Sequence, residues 1–229
     1  MIVIPRVTKP LVVQQSPIPR QNLALWLRAD RGVVLDTTST PTVSQWLDQS
    51  GNNNHFTQSI KTRQPFLKTV DGFPVVSFEG AHSLAGMTFP QTDAFSIYIV
   101  VKSLTDGSYH NTVDFLTPGG LIYPYGTNTL LFSDGGFDGM IPTGLVTGQW
   151  NKACWIYKPN EVDGYQTFNN GALVAQRQSS NNAIAAGAPG TVGSHVNQQA
   201  EFCNAFVKHI LIYTRRHSVQ ELTRVISKL

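Results

Sequence analysis

From Asn22 onward the apolar residues of this chain come in short runs, each closed by Gly, Pro, Asn, Asp or a polar cluster: LALWLRA, PVVSF, FSIYIVVK, TVDFL, GLIYPY, TLLF, KACWIYK, GYQTF, ALVAQ and FVKHILIY. That punctuation limits the fold more than any other feature. Runs this short, rich in Val, Ile, Tyr, Phe and Trp, are strands of an antiparallel sheet, since a helix needs a longer amphipathic stretch. Composition agrees: only 14% of residues are charged while Gly reaches 19 and Pro 13, a balance that disfavours helices. A length of 229 residues with 41% hydrophobic content buries a full core as one β domain. The expectation is an all-β, antiparallel two-sheet sandwich over residues 22 to 229, with an extended N-terminal arm and a short C-terminal helix.

Two local signals are sharp. In YQTFNNGALVAQ, Asn170 and Gly171 lie between two strand runs and supply the positive φ angles of a tight hairpin. In HSVQELTRVISKL, Ser218 is an N-cap with Glu221 as its capping-box partner, and Val219, Leu222, Val225, Ile226 and Leu229 form one apolar stripe.

Residues 1 to 21 are different in character. Pro5, Pro10, Pro17 and Pro19 prevent a helix and favour an extended arm. Its apolar clusters, Ile2, Val3, Ile4 and Leu11, Val12, Val13, suit strand addition to a protein partner or neighbouring subunit, which implies a homo-oligomer or a larger assembly. Of 17 Lys and Arg, three (Arg6, Lys9 and Arg20) fall in the first twenty residues, which hold no acid, leaving 14 against 14 acids in the rest. No segment after Gln21 concentrates Lys and Arg, so nucleic acid is not expected as a partner. No apolar run reaches the roughly 20 residues that span a bilayer, and the proline-broken N-terminus lacks a signal-peptide layout. Cys154 and Cys203 both lie in apolar runs and read first as buried free thiols, with one inter-strand disulfide as the second reading.

The pieces LALWLRADRGV, VSQWLDQSGNNNHFTQ, QPFLKTVDGFPVVSFEGAHSLAG, WNKACWIYKPNEVDGYQTFNNGALVAQ and FVKHILIYTRRHSVQELTRVISKL, in this order, resemble the concanavalin A-like, laminin G-type jelly-roll domains of bacterial extracellular and phage particle proteins. The resemblance covers nearly everything after Gln21 and implies a jelly-roll sandwich. In such domains a run like WLDQSGNNNHF is a connection: Trp46 anchors the core, Asp48 and Ser50 close Asx- and Ser-type turns, and Gly51 permits the reversal.

The fold that the resemblance implies also hosts glycoside hydrolases, which need two carboxylates about 5 Å apart in retaining enzymes. The one close alternating pair here is Glu161 and Asp163, in the turn-like KPNEVDGY. No Gly-x-Ser-x-Gly elbow occurs, and the six histidines show no zinc spacing. No catalytic residue is therefore expected. The segment TPGGLIYPYGTNTLLFSDGGFDGM is the candidate ligand-binding loop: Tyr123 and Tyr125 offer rings for sugar stacking, and Asp134 and Asp138 offer oxygens. Related jelly rolls bind glycans or calcium at such edges, but the loop lacks the D-x-D-x-D-G ladder, so no cofactor is assigned beyond calcium as the cation to consider. The resulting expectation is a non-catalytic phage virion-surface protein, anchored by its arm, in capsid decoration or host-glycan attachment. The alternative is a secreted bacterial carbohydrate-binding module or glycoside hydrolase.

Overall fold

The computed structural model describes residues 18–104, 112–116, 119–124, 130–133, 140–179, 189–195 and 201–229. In chain order the strands are β1 (Leu23–Arg28), β2 (Val33–Leu35), β3 (Val43–Trp46), β4 (Phe56–Thr57), β5 (Phe66–Val70), β6 (Phe73–Phe78), β7 (Leu84–Thr88), β8 (Phe95–Ser103), β9 (Val113–Leu116), β10 (Gly119–Pro124), β11 (Leu130–Ser133), β12 (Met140–Pro142), β13 (Asn151–Tyr157), β14 (Tyr165–Asn169), β15 (Ala172–Arg177), β16 (Pro189–Val192) and β17 (Ala205–Tyr213), followed by helix α1 (Val219–Ile226). They form two antiparallel sheets packed as a sandwich. The first runs β15-β14-β13-β8-β17-β6-β5 with β1 also on β17, and the second runs β12-β11-β10-β9-β16-β7-β4-β3-β2.

Strand β17 is the spine of the first sheet. On one edge it pairs with β8 along its length, and on the other it pairs first with β6 (Ala205 to Val207) and then with β1 (His209 to Tyr213). The register shifts between Val207 and His209, so Lys208 is the extra residue of a β-bulge at the point where the partner changes.

Period-two alternation divides the side chains of this sheet between two layers. Phe95, Ile97, Ile99 and Val101 of β8, Ala153, Trp155 and Tyr157 of β13, and Ile210 and Ile212 of β17 face the second sheet, where Trp46, Phe56, Leu84 and Val192 meet them. The residues between them, Tyr98, Cys154, Ile156, Leu211 and Tyr213, face outward and are covered by Leu222, Val225 and Ile226 of α1. Ser218 and Glu221 form the expected capping box. Val219 departs from the expected stripe: it is 63% exposed, because the first residue of the helix overhangs the end of the layer it would cover. Asn170 and Gly171 make the hairpin turn between β14 and β15 with φ of 51° and 88°. Cys154 and Cys203 are free, buried thiols in the outer and inner layers respectively.

Residues 18 to 21 lie against the domain. Ile18 is buried in the outer layer, the Pro19 carbonyl accepts a hydrogen bond from the Tyr213 hydroxyl at 3.0 Å, and Arg20 donates to the Gln49 carbonyl at 2.7 Å. The arm positions Ile2, Val3, Ile4, Leu11, Val12 and Val13 fall outside the described residues.

The stretch from Trp46 to Phe56 is a corner that ties the two sheets together. Trp46 and Phe56 are fully buried, and the Trp46 indole donates to the Arg28 carbonyl at 2.8 Å. Asp48 is the knot. Its Oδ1 accepts from the backbone N–H groups of Trp26 (2.9 Å) and Ser50 (2.8 Å), and its Oδ2 accepts from the Ser50 hydroxyl (2.6 Å) and the Asn54 N–H (3.1 Å). Asn52 and Asn54 donate their amides to the carbonyls of Leu23 and Ala24, each at 2.8 Å. The polar residues of the corner thus supply edge strand β1 with partners that a neighbouring strand would otherwise supply.

Two stability outcomes follow. Trp46→Ala removes a fully buried ring and should cost about 3–5 kcal/mol in urea denaturation. Asp48→Ala strands several backbone donors, each costing about 1–3 kcal/mol when left unmade, so the loss should exceed about 2 kcal/mol. A change below about 1 kcal/mol for Asp48→Ala would show that the corner is held by its backbone alone.

Candidate functional site

Helix α1 covers only part of the outer face of the first sheet. Beside its C-terminal end the face opens as a groove of about 620 Å³, lined by Ile18, Trp26, Arg28, Asp30, Phe73, Pro74, Lys152, Lys208, His209, Lys228 and Leu229. Register explains the gathering. Arg28 is opposite His209 across the β1–β17 pair, and His209 and Lys152 each pair with Val100, so all three side chains stand on the outward face. The bulge then adds Lys208 beside His209 on that face, where regular alternation would have turned one of them into the core.

The hairpin between β5 and β6 supplies the opposite wall. Asp71 and Gly72 turn with φ of 52° and 78°, a two-residue loop that brings Asp71 and Phe73 to the rim. Phe73 is 56% exposed, a large apolar ring left open to solvent. The Trp150 indole donates to Asp71 Oδ2 at 2.8 Å, and Lys102 donates to the same oxygen at 3.3 Å. These bonds, with that of Trp150 the larger effect, hold the Asp71 carboxyl below its usual range. Lys208 Nζ sits 3.9 Å from the Phe73 ring centre and 3.6 Å from that of Trp150, a cation held between two aromatic faces. Burial lowers the pKa of Lys208, while Asp71 acts in the opposite sense.

The remaining cations differ in how they are held. Arg28 makes a two-point ion pair with Asp30 at 2.9 and 2.6 Å, which holds the Asp30 carboxyl down, and stacks on Trp26, whose other guanidinium neighbour is Arg20. Lys152 donates to the Ile226 carbonyl at 3.0 Å, a cation at the C-terminal end of α1. Lys208 and Lys228 make no ion pair within 4 Å among the described residues. The groove and its rim bring five cationic side chains, Arg28, Lys102, Lys152, Lys208 and Lys228, against two acidic side chains, Asp30 and Asp71. Along the chain these cationic residues form no cluster, because each comes from a different segment. The domain's overall neutrality therefore conceals a local positive field.

Of the sequence-derived candidates, Tyr123 lies on β10, while Tyr125, Asp134 and Asp138 fall outside the described residues. Glu161 and Asp163 are not poised as an acid pair: Arg216 engages the carboxylates of both, bonding Asp163 Oδ2 at 2.8 Å, and Lys158 pairs with Glu161 at 2.5 Å. They staple a turn to the end of β17. No group of three or more His, Cys, Asp or Glu among the described residues is arranged to hold a metal ion. No helix among the described residues is long and apolar enough to cross a membrane.

No protein-family model matches this sequence, and no curated protein matches it. Solved structures do match in fold. The botulinum neurotoxin type G receptor binding domain aligns with a TM-score of 0.63 at 12% identity, covering 91% of this chain and 51% of that one. Domain 4 of AbnA, a GH43 extracellular arabinanase from Geobacillus stearothermophilus solved in complex with arabinotriose, aligns with a TM-score of 0.60 at 12% identity, covering 90% and 98%. Trypanosoma rangeli sialidase in complex with sialic acid aligns with a TM-score of 0.56 at 12% identity, covering 92% and 33%. The chain thus spans about half the toxin domain, a third of the sialidase and nearly all of the arabinanase domain. Identities this low establish a shared jelly-roll-like β-sandwich, in a set that holds both binding domains and parts of enzymes.

Burial lowers the pKa of two histidines in the outer layer to about 4: His209 in the groove and His217, whose Nδ1 meets the Tyr98 hydroxyl at 2.6 Å. Unfolding returns each to its ordinary value near 6.5, so between those values the unfolded chain binds more protons. Stability should be full above about pH 6.5 and fall steadily toward pH 4. Melting curves across that range should show the slope, and His209→Gln with His217→Gln should flatten it. A slope unchanged in the double variant would assign the pH dependence elsewhere.

Proposed function

We propose that this chain is a non-catalytic carbohydrate-binding module that takes glycans in the groove beside α1. The observation that carries this reading is the groove itself: a concavity on an otherwise covered sheet face, of a size suited to a short oligosaccharide, edged by exposed Phe73 and oriented Trp150 with polar groups between them. Aromatic faces stack on the C–H side of sugar rings, and fixed charged and amide groups select hydroxyls. Support also comes from the similar structures solved with arabinotriose and with sialic acid.

Among the described residues the acids favour binding over catalysis: a glycosidase acid needs a raised pKa, whereas the carboxyls of Asp30, Asp36, Asp71, Glu79 and Glu221 are lowered by cations or hydrogen bonds. The finer part of the proposal is display on a phage particle, with the proline-rich arm as anchor and host glycans as target. Its support is the family resemblance, together with an arm whose basic, apolar sequence suits docking on another protein.

A glycan array with the full chain tests the binding reading. Phe73→Ala and Trp150→Ala should each weaken the bound glycans about three- to tenfold, at about 0.5–1.5 kcal/mol per stacked ring, with little change in melting temperature for exposed Phe73. Release of reducing sugar would contradict the non-catalytic assignment. Deleting residues 1 to 17, which leaves Pro19 and Arg20 in place, should abolish particle incorporation or oligomerisation while preserving the fold. Intact assembly of the shortened chain would remove the anchor from the account.

A further inference from the structure

We propose that the ligand of the groove is an acidic glycan, one carrying carboxylates sparsely among its hydroxyls as uronate or sialate residues do, with Lys208 receiving the sugar carboxylate beside the Phe73 ring. The inference rests on the carbohydrate reading and goes beyond it by naming the ligand's charge and the residue that selects it.

Charge complementarity is the first argument. The patch gathers five cationic and two acidic side chains, and Lys208 and Lys228 have no ion-pair partner among the described residues, so an anion entering the groove meets charge not already neutralised. Lys208 is also prepared for the task. The Phe73 and Trp150 rings flank its ammonium, which fixes the long side chain in place and reduces the ordering it would lose on binding. Burial has already removed part of its hydration, so a carboxylate there replaces less water than at an exposed lysine.

The positions of the acids decide among anions. Asp30 lines the groove and Asp71 stands at its rim, where each can accept a hydrogen bond from a sugar hydroxyl and would repel a chain with a negative charge on every unit. A densely sulfated polymer or a nucleic acid would bring several charges within reach of both, whereas one carboxylate beside several hydroxyls satisfies the lysine and the aspartates together. The arm of this chain is a poor occupant for the same reason, because it is itself basic, with Arg6 and Lys9 and no acid.

The test titrates the full chain with a panel of polysaccharide fragments containing uronate or sialate, each beside its carboxyl-reduced neutral twin. Heparin fragments and a single-stranded oligonucleotide serve as densely charged comparisons. Acidic fragments should bind at least about tenfold more tightly than their twins, the range expected for a charge-assisted hydrogen bond. Lys208→Met, which keeps the unbranched stem between the rings, should erase that preference without lowering the melting temperature, and Lys208→Arg should restore much of it. Equal binding of acid and twin, or binding of neutral fragments only, overturns the acidic-ligand inference and leaves the carbohydrate reading standing. Tighter binding of heparin or of the oligonucleotide overturns it in favour of a polyanion. Failure of every fragment, charged and neutral, overturns both readings.

Discussion

One extra residue in β17 organises the outer face of this protein. At Lys208 the strand bulges, and there its neighbour on one edge changes from β6 to β1, while on the other edge the β8 ladder skips Lys208 and resumes at His209. Without the bulge, the period of two would carry the alternation straight through, and either Lys208 or His209 would enter the core among Val207 and Ile210. A lysine there would carry the desolvation cost of an unpaired charge. The irregularity therefore preserves an apolar core and delivers two polar side chains to one spot on the surface. The Ala29 N–H, bonded to the Lys208 carbonyl at 2.9 Å, extends the tie to β1 just past the bulge.

The outward face of the first sheet has two halves with opposite chemistry. Under α1 it is apolar and closed, with Tyr98, Tyr213 and His217 packed ring against ring and the helix pinned by its capping box at one end and by Lys152 at the other. Beyond the end of the helix it is cationic and open. Trp26 marks the boundary, buried at 8% exposure yet sandwiched between Arg20 and Arg28, so the same ring closes the apolar layer and forms the groove floor. The Asp48 corner stands behind it, since the Trp26 N–H is one of the donors that Asp48 holds. Fold and site are coupled through β1.

The sequence made the long elements readable and left the site hidden. All ten runs noted at the outset fall on strands, from LALWLRA on β1 to FVKHILIY on β17, because each is an apolar run carrying β-branched or aromatic residues between turn-forming ones. The strands that it did not reveal, such as β3, β4 and β16, are short and carry Ser, Gln, Thr or Gly, so their pairing is decided by neighbours. Trp46 and Asp48 were legible as a corner because turn chemistry is local. The groove was not, because it is made by register: Arg28, Lys102, Lys152 and Lys208 are far apart in the chain and meet only through pairing across β1, β8, β13 and β17. One clue was available, the Asp71-Gly72 pair in TVDGFPVV, which is as clear a hairpin signal as Asn170-Gly171 and carries Phe73 directly behind it. The bulge itself left no mark in residue type.

The central claim is that ligands meet this molecule at the groove beside α1, and the most direct measurement is a map of amide and indole NMR shifts as a bound oligosaccharide is titrated in. The account predicts that the largest changes cluster at Phe73, Lys208, His209 and the Trp150 indole, with the core and the Asp48 corner unmoved. Changes centred instead on Tyr123, Tyr125, Asp134 and Asp138, with the groove silent, would contradict it.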